Sequence, residues 1–520
     1  MDVPLTTADF CYRARLVHAD LLGAVDEPGV PGSLGRLTYG ELLDRADGMI
    51  QALTKMGVGP GERVAIISPN AAKLLIALYA VTVSGRVLVP INFRLAPAEA
   101  QFIVDDAEAT LLLVDPLLDE QFGAVRAPRR IVLDGVADAE LFAPAEGDTE
   151  WPSLDENQPA TLNYTSGTTA RPKGVILTHR SHWLNAAVVG WGFGLAEDDR
   201  YLHTLPIFHV NGWGLPLATA ALGVPNVIQR DVRGPEILRR VGDERITLLC
   251  GATPVASAIV QAAEALREAG DPVPGDGITR MVSGGAPTPA AVIDHFERVT
   301  GWEMIHAYGL TETGPVLTAN RVRRSSQLTP GERAAQLARA GPPLVGVRLQ
   351  VDSDGQVLAR TAKGMTGYWG HDDLSRAAFQ DGWFMTGDGG DIEPDGRLRV
   401  TDRKKDVIVT GGENVSSLEV EARLHEHPDV VDVAVIGVPD ERWGETPKAL
   451  VVLRQGATFD PEGLIRFCRE GLAHFKCPTS AEELDALPRT ATGKIQKYLL
   501  RQAYADTQAD SAEEERTLRA

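Results

Sequence analysis

The sequence predicts an α/β protein with a large N-terminal domain and a small α+β domain at the C-terminus. Three observations carry this. Short β-branched runs such as RVAIIS (Arg63–Ser68) alternate with helix-length stretches such as Ala71–Ser84. The runs are apolar throughout rather than alternating, as expected of strands buried on both faces of a largely parallel sheet. Near Asp402 the texture changes: LRVTDRKKDVIVTGGENVSSLEVEARL reads strand, charged turn, strand, Gly-Gly turn, helix.

The first strands are Arg63–Ser68, VLVPIN (Val87–Asn92) and TLLLVD (Thr110–Asp115), with a helix over Ala71–Ser84. Its apolar block LLIALYAVTV (Leu74–Val83) is too short to cross a bilayer and suits a buried helix. The same grammar returns at Ile246–Cys250, Val255–Glu268, Arg280–Ser283 and Ala290–Val299. Residues 321–343 are polar and Arg-rich and read as a surface excursion. Beyond the DRKKD turn, Val430–Val438 and Lys448–Arg454 read as strands and Pro461–Gly471 as a helix, a module of about a hundred residues. The expected division is a large domain over 1–401, a connection at 402–405 and a small domain over 406–520. The tail after Ala505 reads as solvated.

At 520 residues the chain exceeds what one hydrophobic core supports, which agrees with two domains. Its 44% hydrophobic and 23% charged residues are those of a globular protein. A net charge of -20 argues against nucleic acid or an anionic membrane as a general partner. An anionic ligand must then be held by local cations and backbone N–H groups. Cys11, Cys250, Cys468 and Cys477 lack metal-ligand spacing, so reduced thiols in the cytoplasm are expected rather than disulfides or zinc. The N-terminal MDVPLTTADFCYRARL has neither the basic start nor the apolar block of a secretory signal.

One stretch answers the need for local cations. NYTSGTTARPKGV (Asn163–Val175) offers the hydroxyls and close N–H groups of Thr165, Ser166, Gly167, Thr168 and Thr169, then the point charge of Lys173. Such a nest can wrap phosphate oxygens. The segment that follows, VILTH, reads as a strand and not a helix, so this is not the usual strand–loop–helix phosphate motif. The plainer reading is a Ser/Thr/Gly hairpin with an exposed lysine.

The length and order of this string resemble the phosphate loop of the adenylate-forming (ANL) superfamily, in its acyl-CoA synthetase and fatty acyl-CoA ligase branch. Ala170 stands where a glycine is usual. Further blocks follow in the family's order along almost the whole chain. SGGAP resembles the segment along the adenine, with Gly284, Gly285, Ala286 and Pro287. YGLTETG resembles the next: Tyr308 and Gly309 at the base, Thr311 at the α-phosphate, and Glu312 holding Mg2+ with Thr165 as second ligand. GWFMTGD supplies Asp388 for the ribose hydroxyls; DRKKD supplies Arg403 at the nucleotide and Lys405 at the pivot; PRTATGKIQK supplies Lys494 as the catalytic lysine. Each alone has a duller alternative: Tyr308 in a core, Glu312 as a helix cap, Lys494 as a solvated charge.

The resemblance implies a fold with parallel-rich sheets, a β-barrel-like subdomain and a small mobile domain on a hinge. It also implies ATP, Mg2+ and CoA as cofactors. By the same resemblance Gly411 and Gly412 line a pantetheine tunnel, while Trp443, Phe475 and Lys476 approach CoA. The alternative for Trp443 is a cover over the small domain's core. Asn414 stands where some long-chain relatives have Trp, and the segment before GYWG is shorter than usual.

LPIFHVNGWGLPLA (Leu205–Ala218) bears on the acid. Amino-acid-activating relatives carry an Asp after the Phe, and here His209 stands there, so an α-ammonium has no partner. His209 is expected beside the reacting carboxylate; the alternative is a satisfied histidine at a helix start. FHVNGW resembles medium- and long-chain synthetases, which places Val210, Trp213, Gly214, Gly285 and Gly309 at the acyl pocket. Gly190, Gly192, Gly212 and Gly214 leave room for a bulky tail or serve close helix packing. The expectation is therefore an ATP-dependent acyl-CoA synthetase for a hydrophobic carboxylic acid. Its alternatives are an enzyme confined to the first half-reaction or loading a carrier protein, and a nucleotide-binding scaffold without catalysis. The expected partners are the small-molecule acid, ATP, CoA and a second copy of the chain as a homodimer, with no nucleic acid and no integral membrane.

Overall fold

The computed structural model describes residues 3–165, 172–285, 287–323, 326–403, 406–410, 413–440, 443–490 and 494–504. In a seven-stranded sheet Arg63–Ile67 lies parallel between Val87–Ile91, the central strand, and Ala109–Val114, with Arg129–Val132 beyond the latter. On the other side Pro159–Thr165 runs parallel to Val87–Ile91, and Lys173–Thr178 and Gly367–Tyr368 complete it in antiparallel fashion. The helix Ala72–Val83 is buried at every residue, which explains why its sequence carries no polar face.

The second large sheet has eight strands. Tyr201–His203, Leu248–Gly251, Arg280–Gly284 and Glu303–Gly309 lie parallel in that order, and Val316–Asn320 closes one edge antiparallel. Asn70 ties the first domain half to this one: its amide donates to the carbonyls of His203 and Leu205 and its oxygen accepts from Ile207 N–H at 2.8 Å. A curled five-stranded antiparallel sheet follows, built on Trp383–Ile392 with Gln356–Thr361, Leu398–Arg403, Val347–Val351 and Phe379–Gln380. The expected α/β class, parallel-rich sheets and barrel-like subdomain are all present.

The small domain is a five-stranded sheet centred on Gly444–Leu453 and Val430–Asp440, covered by the helices Ser417–Leu424 and Pro461–Gly471. At its junction with the large domain, Ser416 Oγ donates to the Thr401 carbonyl at 2.6 Å and Arg501 pairs with Asp406 at 2.6 Å.

One expectation needs correction. Within 321–343, Pro330–Leu337 is a helix, capped by Thr329 with Glu332. Ala334 and Leu337, with Val322, are buried against Phe296 and Trp302. Two apolar positions three apart suffice for a short helix to dock, while Arg333 turns out to Glu297 at 2.7 Å. The four cysteines are free and buried, and Cys468 and Cys477 meet in the small domain's core, where burial pushes the Cys468 thiol up to about 12. Among the described residues no helix is long and apolar enough to cross a membrane.

Candidate active site

The strand Pro159–Thr165 delivers Thr165 to the neck of the glycine-threonine loop, where it pairs in register with Lys173. Ser166, Gly167, Thr168 and Thr169 lie outside the described residues, as do Ala286, Lys405, Gly411 and Gly412. The Lys173 ammonium lies 5.2 Å from the ring centroid of Tyr368, a cation–π contact. The Tyr368 hydroxyl in turn donates to Glu312 Oε1 at 3.1 Å. Burial, together with the Glu312 charge, raises its pKa and keeps it a donor. Sequence reasoning missed Tyr368, because only its strand pairing with Lys173–Thr178 brings it to this loop.

Glu312 sits in the 3₁₀ turn Thr311–Thr313, immediately after the strand Glu303–Gly309. Almost every carbonyl in this loop has a donor. Gly314 N–H donates to Thr311 O at 3.2 Å, Met365 N–H to Glu312 O at 2.8 Å, Thr313 N–H to Leu310 O at 2.9 Å, and Thr313 Oγ1 to Pro315 O at 2.7 Å. Lys363 Nζ donates to Thr313 O at 3.1 Å and to Val316 O. Lys363 is only 2% exposed, and burial pushes its amine down to about 7. A β-carbon on Gly309 would stand 1.9 Å from Pro315 O, and one on Gly314 1.9 Å from Lys363 O, so both must be glycine.

On the nucleotide side, the Tyr308 hydroxyl donates to Asp388 Oδ2 at 2.7 Å, joining the eight-stranded sheet to the curled one. Asp388 is buried and pairs in register with Arg403. Ser283 Oγ and Thr288 Oγ1, 2.7 Å apart, fasten the ends of the segment that contains Gly284, Gly285 and Pro287. Gly285 has φ +85°, a conformation that side chains rarely adopt.

The segment after Phe208 is not the right-handed helix start that a histidine cap would imply. Val210, Asn211, Gly212, Trp213 and Gly214 all have positive φ, giving one left-handed turn closed by bonds from Gly212 N–H to His209 O and from Gly214 N–H to Asn211 O. The turn sends two side chains in different directions. Val210 packs with Val175, Leu177, Met365 and Tyr368, on the side of Glu312. Trp213 joins Val189, Phe193, Leu205, Val282 and Ile305, and its indole edge lies 2.5 Å from where a β-carbon of Gly284 would be. Asn185 fixes the turn by donating to Trp213 O at 3.0 Å. Gly192 abuts Leu344 and Gly190 abuts Ala218, so these two serve packing.

Enclosure lowers the His209 pKa to about 3, with a smaller contribution from the Lys494 charge, so the imidazole is neutral at pH 7. Lys494 sits in a hairpin whose base is bonded from Thr490 N–H to Lys494 O at 2.7 Å. Arg489 pairs with Asp432 at 2.6 Å, and the buried Lys497 pairs with Glu421 at 2.7 Å, anchoring this hairpin to the domain. Trp443 and Phe475 are each 46% exposed, so Trp443 does not cover the core; Lys476 pairs with Glu419 at 2.8 Å.

This donor set fits a nucleotide and a hard divalent cation. Glu312 is a carboxylate anchored through one oxygen, backbone beside it is kept bare at Gly309 and Gly314, and Thr165, opposite Lys173, carries a hydroxyl oxygen.

Comparison with known proteins agrees. The sequence matches the AMP-binding enzyme family over residues 23–369 and the AMP-binding enzyme C-terminal domain over residues 419–494. It is 36% identical to 4-hydroxybutyrate–CoA ligase 2 of Metallosphaera sedula, covering 90% of this chain and 89% of that one. It is 33% identical to the peroxisomal benzoate–CoA ligase of Arabidopsis thaliana, covering 96% and 93%. The solved anthranilate CoA ligase AuaEII with anthranoyl-AMP superposes with a TM-score of 0.85 at 26% identity, covering 97% of this chain and 98% of that one. ATP-bound MatB from Rhodopseudomonas palustris gives 0.83 at 28%, covering 96% and 99%. Loop, hairpin lysine and both domains thus converge: the chain belongs to the AMP-binding enzyme family, in the acyl-CoA synthetase branch of the adenylate-forming superfamily, and is an AMP-forming acid–CoA ligase using ATP, Mg2+ and CoA.

Proposed function

We propose that the protein activates a hydrophobic carboxylic acid through an acyl-adenylate and then forms its CoA thioester. The observation that carries this is the placement of Trp213 and the neutral His209: an apolar wall beside Gly284, and a histidine at the position where amino-acid-activating relatives carry an Asp. Because the indole edge fills the space beside Gly284, a compact or aromatic acid enters this arrangement directly. A medium or long chain requires Trp213 to swing aside. Relatives named for benzoate, 4-hydroxybutyrate and 2-methylpropanoate support the compact end of this class.

The acid is already ionised at pH 7, so its attack on the α-phosphorus needs no general base. A carboxylate oxygen forms the new bond to phosphorus as the bond to the pyrophosphate oxygen breaks. What limits the step is repulsion between anions, which Mg2+, when bound, reduces. Thr165 and Glu312 hold that ion; the loop Ser166–Thr169 and Lys173 hold the outer phosphates; Thr311 and Lys494 act at the α-phosphate. Tyr308 and Gly309 receive the base, Asp388 and Arg403 the ribose end, and Gly284–Pro287 lie along the adenine. His209 borders the reacting carboxylate without adding charge.

For the second step the small domain pivots at 402–405, with Lys405 as its pivot, so that Lys494 withdraws and Gly411 and Gly412 line the path of the pantetheine arm. Trp443, Phe475 and Lys476, displayed on the small domain, meet CoA. The free, buried cysteines support a cytoplasmic location, and a homodimer is the assembly to look for by sedimentation.

A panel of acids from acetate through benzoate to dodecanoate, read by pyrophosphate release with and without CoA, tests this reading. Release with hydrophobic acids and thioester when CoA is added is the expected result. Release without thioester would confine the enzyme to adenylation, and no acid-dependent release would overturn the reading.

A further inference from the structure

The buried lysines of this protein fall into two kinds. Lys73 meets Asp138 at 2.6 Å and Lys497 meets Glu421 at 2.7 Å, the arrangement expected when a charge is removed from water. Lys363 is as buried, yet among the described residues its amine is bonded only to the carbonyls of Thr313 and Val316. A lysine without a carboxylate is an expensive way to fill a core. Its placement needs another explanation.

The two carbonyls flank Gly314 and Pro315, on the loop that carries Thr311 and Glu312. Pro315 has no N–H, and the nearby Met365 N–H is already committed to Glu312 O. The Lys363 amine, which carries more than one N–H, donates to Thr313 O and Val316 O at once. The backbone of the same residue also braces the loop, since Lys363 O lies against Gly314.

We propose that Lys363 is a positioning residue of the adenylation step: its side chain pins the carbonyls on either side of Gly314–Pro315 and thereby fixes Thr311 and Glu312 against the triphosphate. This rests on the adenylation reading above. A loop held at Glu312 O, Thr313 O and Val316 O cannot shift without breaking buried bonds. A phosphate-facing hydroxyl and a metal-ligating carboxylate lose their effect when displaced by about 1 Å.

The test is Lys363→Met, which keeps length and apolar bulk but removes every donor. Carboxylate-dependent pyrophosphate exchange is expected to fall roughly 100-fold in kcat, with KM for the acid nearly unchanged. The Mg2+ concentration for half-maximal exchange is expected to rise at least about tenfold. Thioester formation from supplied acyl-adenylate stays as in the wild type, and hydrogen-exchange protection is lost at the amides of 310–316 but not in the small domain. Lys363→Arg, which restores donors, recovers most of the exchange rate. Should Lys363→Met not fold, Lys363→Gln, with two N–H donors on a shorter arm, undergoes the same measurements and is expected to fall between Met and Arg. Unchanged exchange and unchanged loop protection in these variants overturn the proposal, as does an equal loss in both half-reactions that follows the melting temperature. The protection measurement needs no turnover, so the two failures are distinguishable: an inactive wild-type enzyme sinks the proposed function, whereas unchanged protection at 310–316 in Lys363→Met sinks the bracing of the loop by Lys363.

Discussion

The Tyr368 hydroxyl donates to Glu312 Oε1 at 3.1 Å, so this carboxylate, the proposed Mg2+ ligand, is oriented by an edge strand of the other large sheet. Removing that donor frees the carboxylate to rotate and exposes it to a ring without a polar tip. Partners of this kind behind a metal ligand are worth roughly 10–100-fold in metal affinity. Tyr368→Phe is therefore expected to raise the Mg2+ requirement of pyrophosphate exchange by about tenfold, with the fold intact. An unchanged Mg2+ titration would show that Tyr368 only packs.

Lys494 exerts its charge on His209 from a hairpin anchored by Arg489–Asp432 and Lys497–Glu421. Deleting a preorganised cation at a developing charge typically costs about 2.7–4 kcal/mol. Lys494→Ala is expected to slow adenylation by that amount while sparing transfer from supplied acyl-adenylate to CoA. Equal losses in the two half-reactions would contradict the division of labour between domain orientations.

In the proposed function Trp213 sets the depth of the acyl end. Trp213→Ala removes the indole edge beside Gly284 and leaves a cavity lined by Val189, Phe193 and Ile305. Each further methylene that fills such a space contributes about 0.8 kcal/mol. The preferred acid should lengthen by several carbons, read as kcat/KM across a chain-length series. A variant with the wild-type preference would place the acyl tail elsewhere.

Three buried histidines and the half-buried His209 tie stability to pH. Burial lowers His179 and His203 to about 4 and His182 and His209 to about 3, against about 6.5 in the unfolded chain. Their folded pKa values are depressed, so their contribution is whole above pH 6.5 and is lost as pH falls toward 3–4, because the unfolded chain takes up the protons first. By pH 5 each is expected to cost roughly 2 kcal/mol. The melting temperature should fall steeply between pH 6.5 and 4.5. His182→Gln, which retains a partner for Thr161 Oγ1, should flatten that fall; an equally steep curve would assign the acid sensitivity to other groups.

What the sequence made legible was local. Apolar runs marked strands within a residue or two, as at Arg63–Ile67 and Arg280–Gly284, because both faces of those strands are covered. The phosphate-loop lysine, Glu312 and Lys494 lie in strings whose order alone carries meaning. Tyr368, Lys363 and Asn70 were illegible for the opposite reason: each acts on a loop far away in sequence, and nothing in its own neighbourhood advertises the partner. The turn at 210–214 gave a partial signal, since Asn211, Gly212 and Gly214 tolerate positive φ, but Val210 and Trp213 adopt it only because packing on both sides compels them.

The bond from Tyr308 to Asp388 has a consequence beyond its own strength. The first residue belongs to the eight-stranded sheet and the second to the curled one, so this 2.7 Å bond crosses the seam between them, beside the packing of Tyr308 and Leu317 against Val347 and Val357. In the proposed function these two residues meet the nucleoside, so its recognition becomes a gauge of how those layers are registered. A core substitution along the seam, remote from any phosphate, would be felt as weakened ATP capture before it was felt as unfolding.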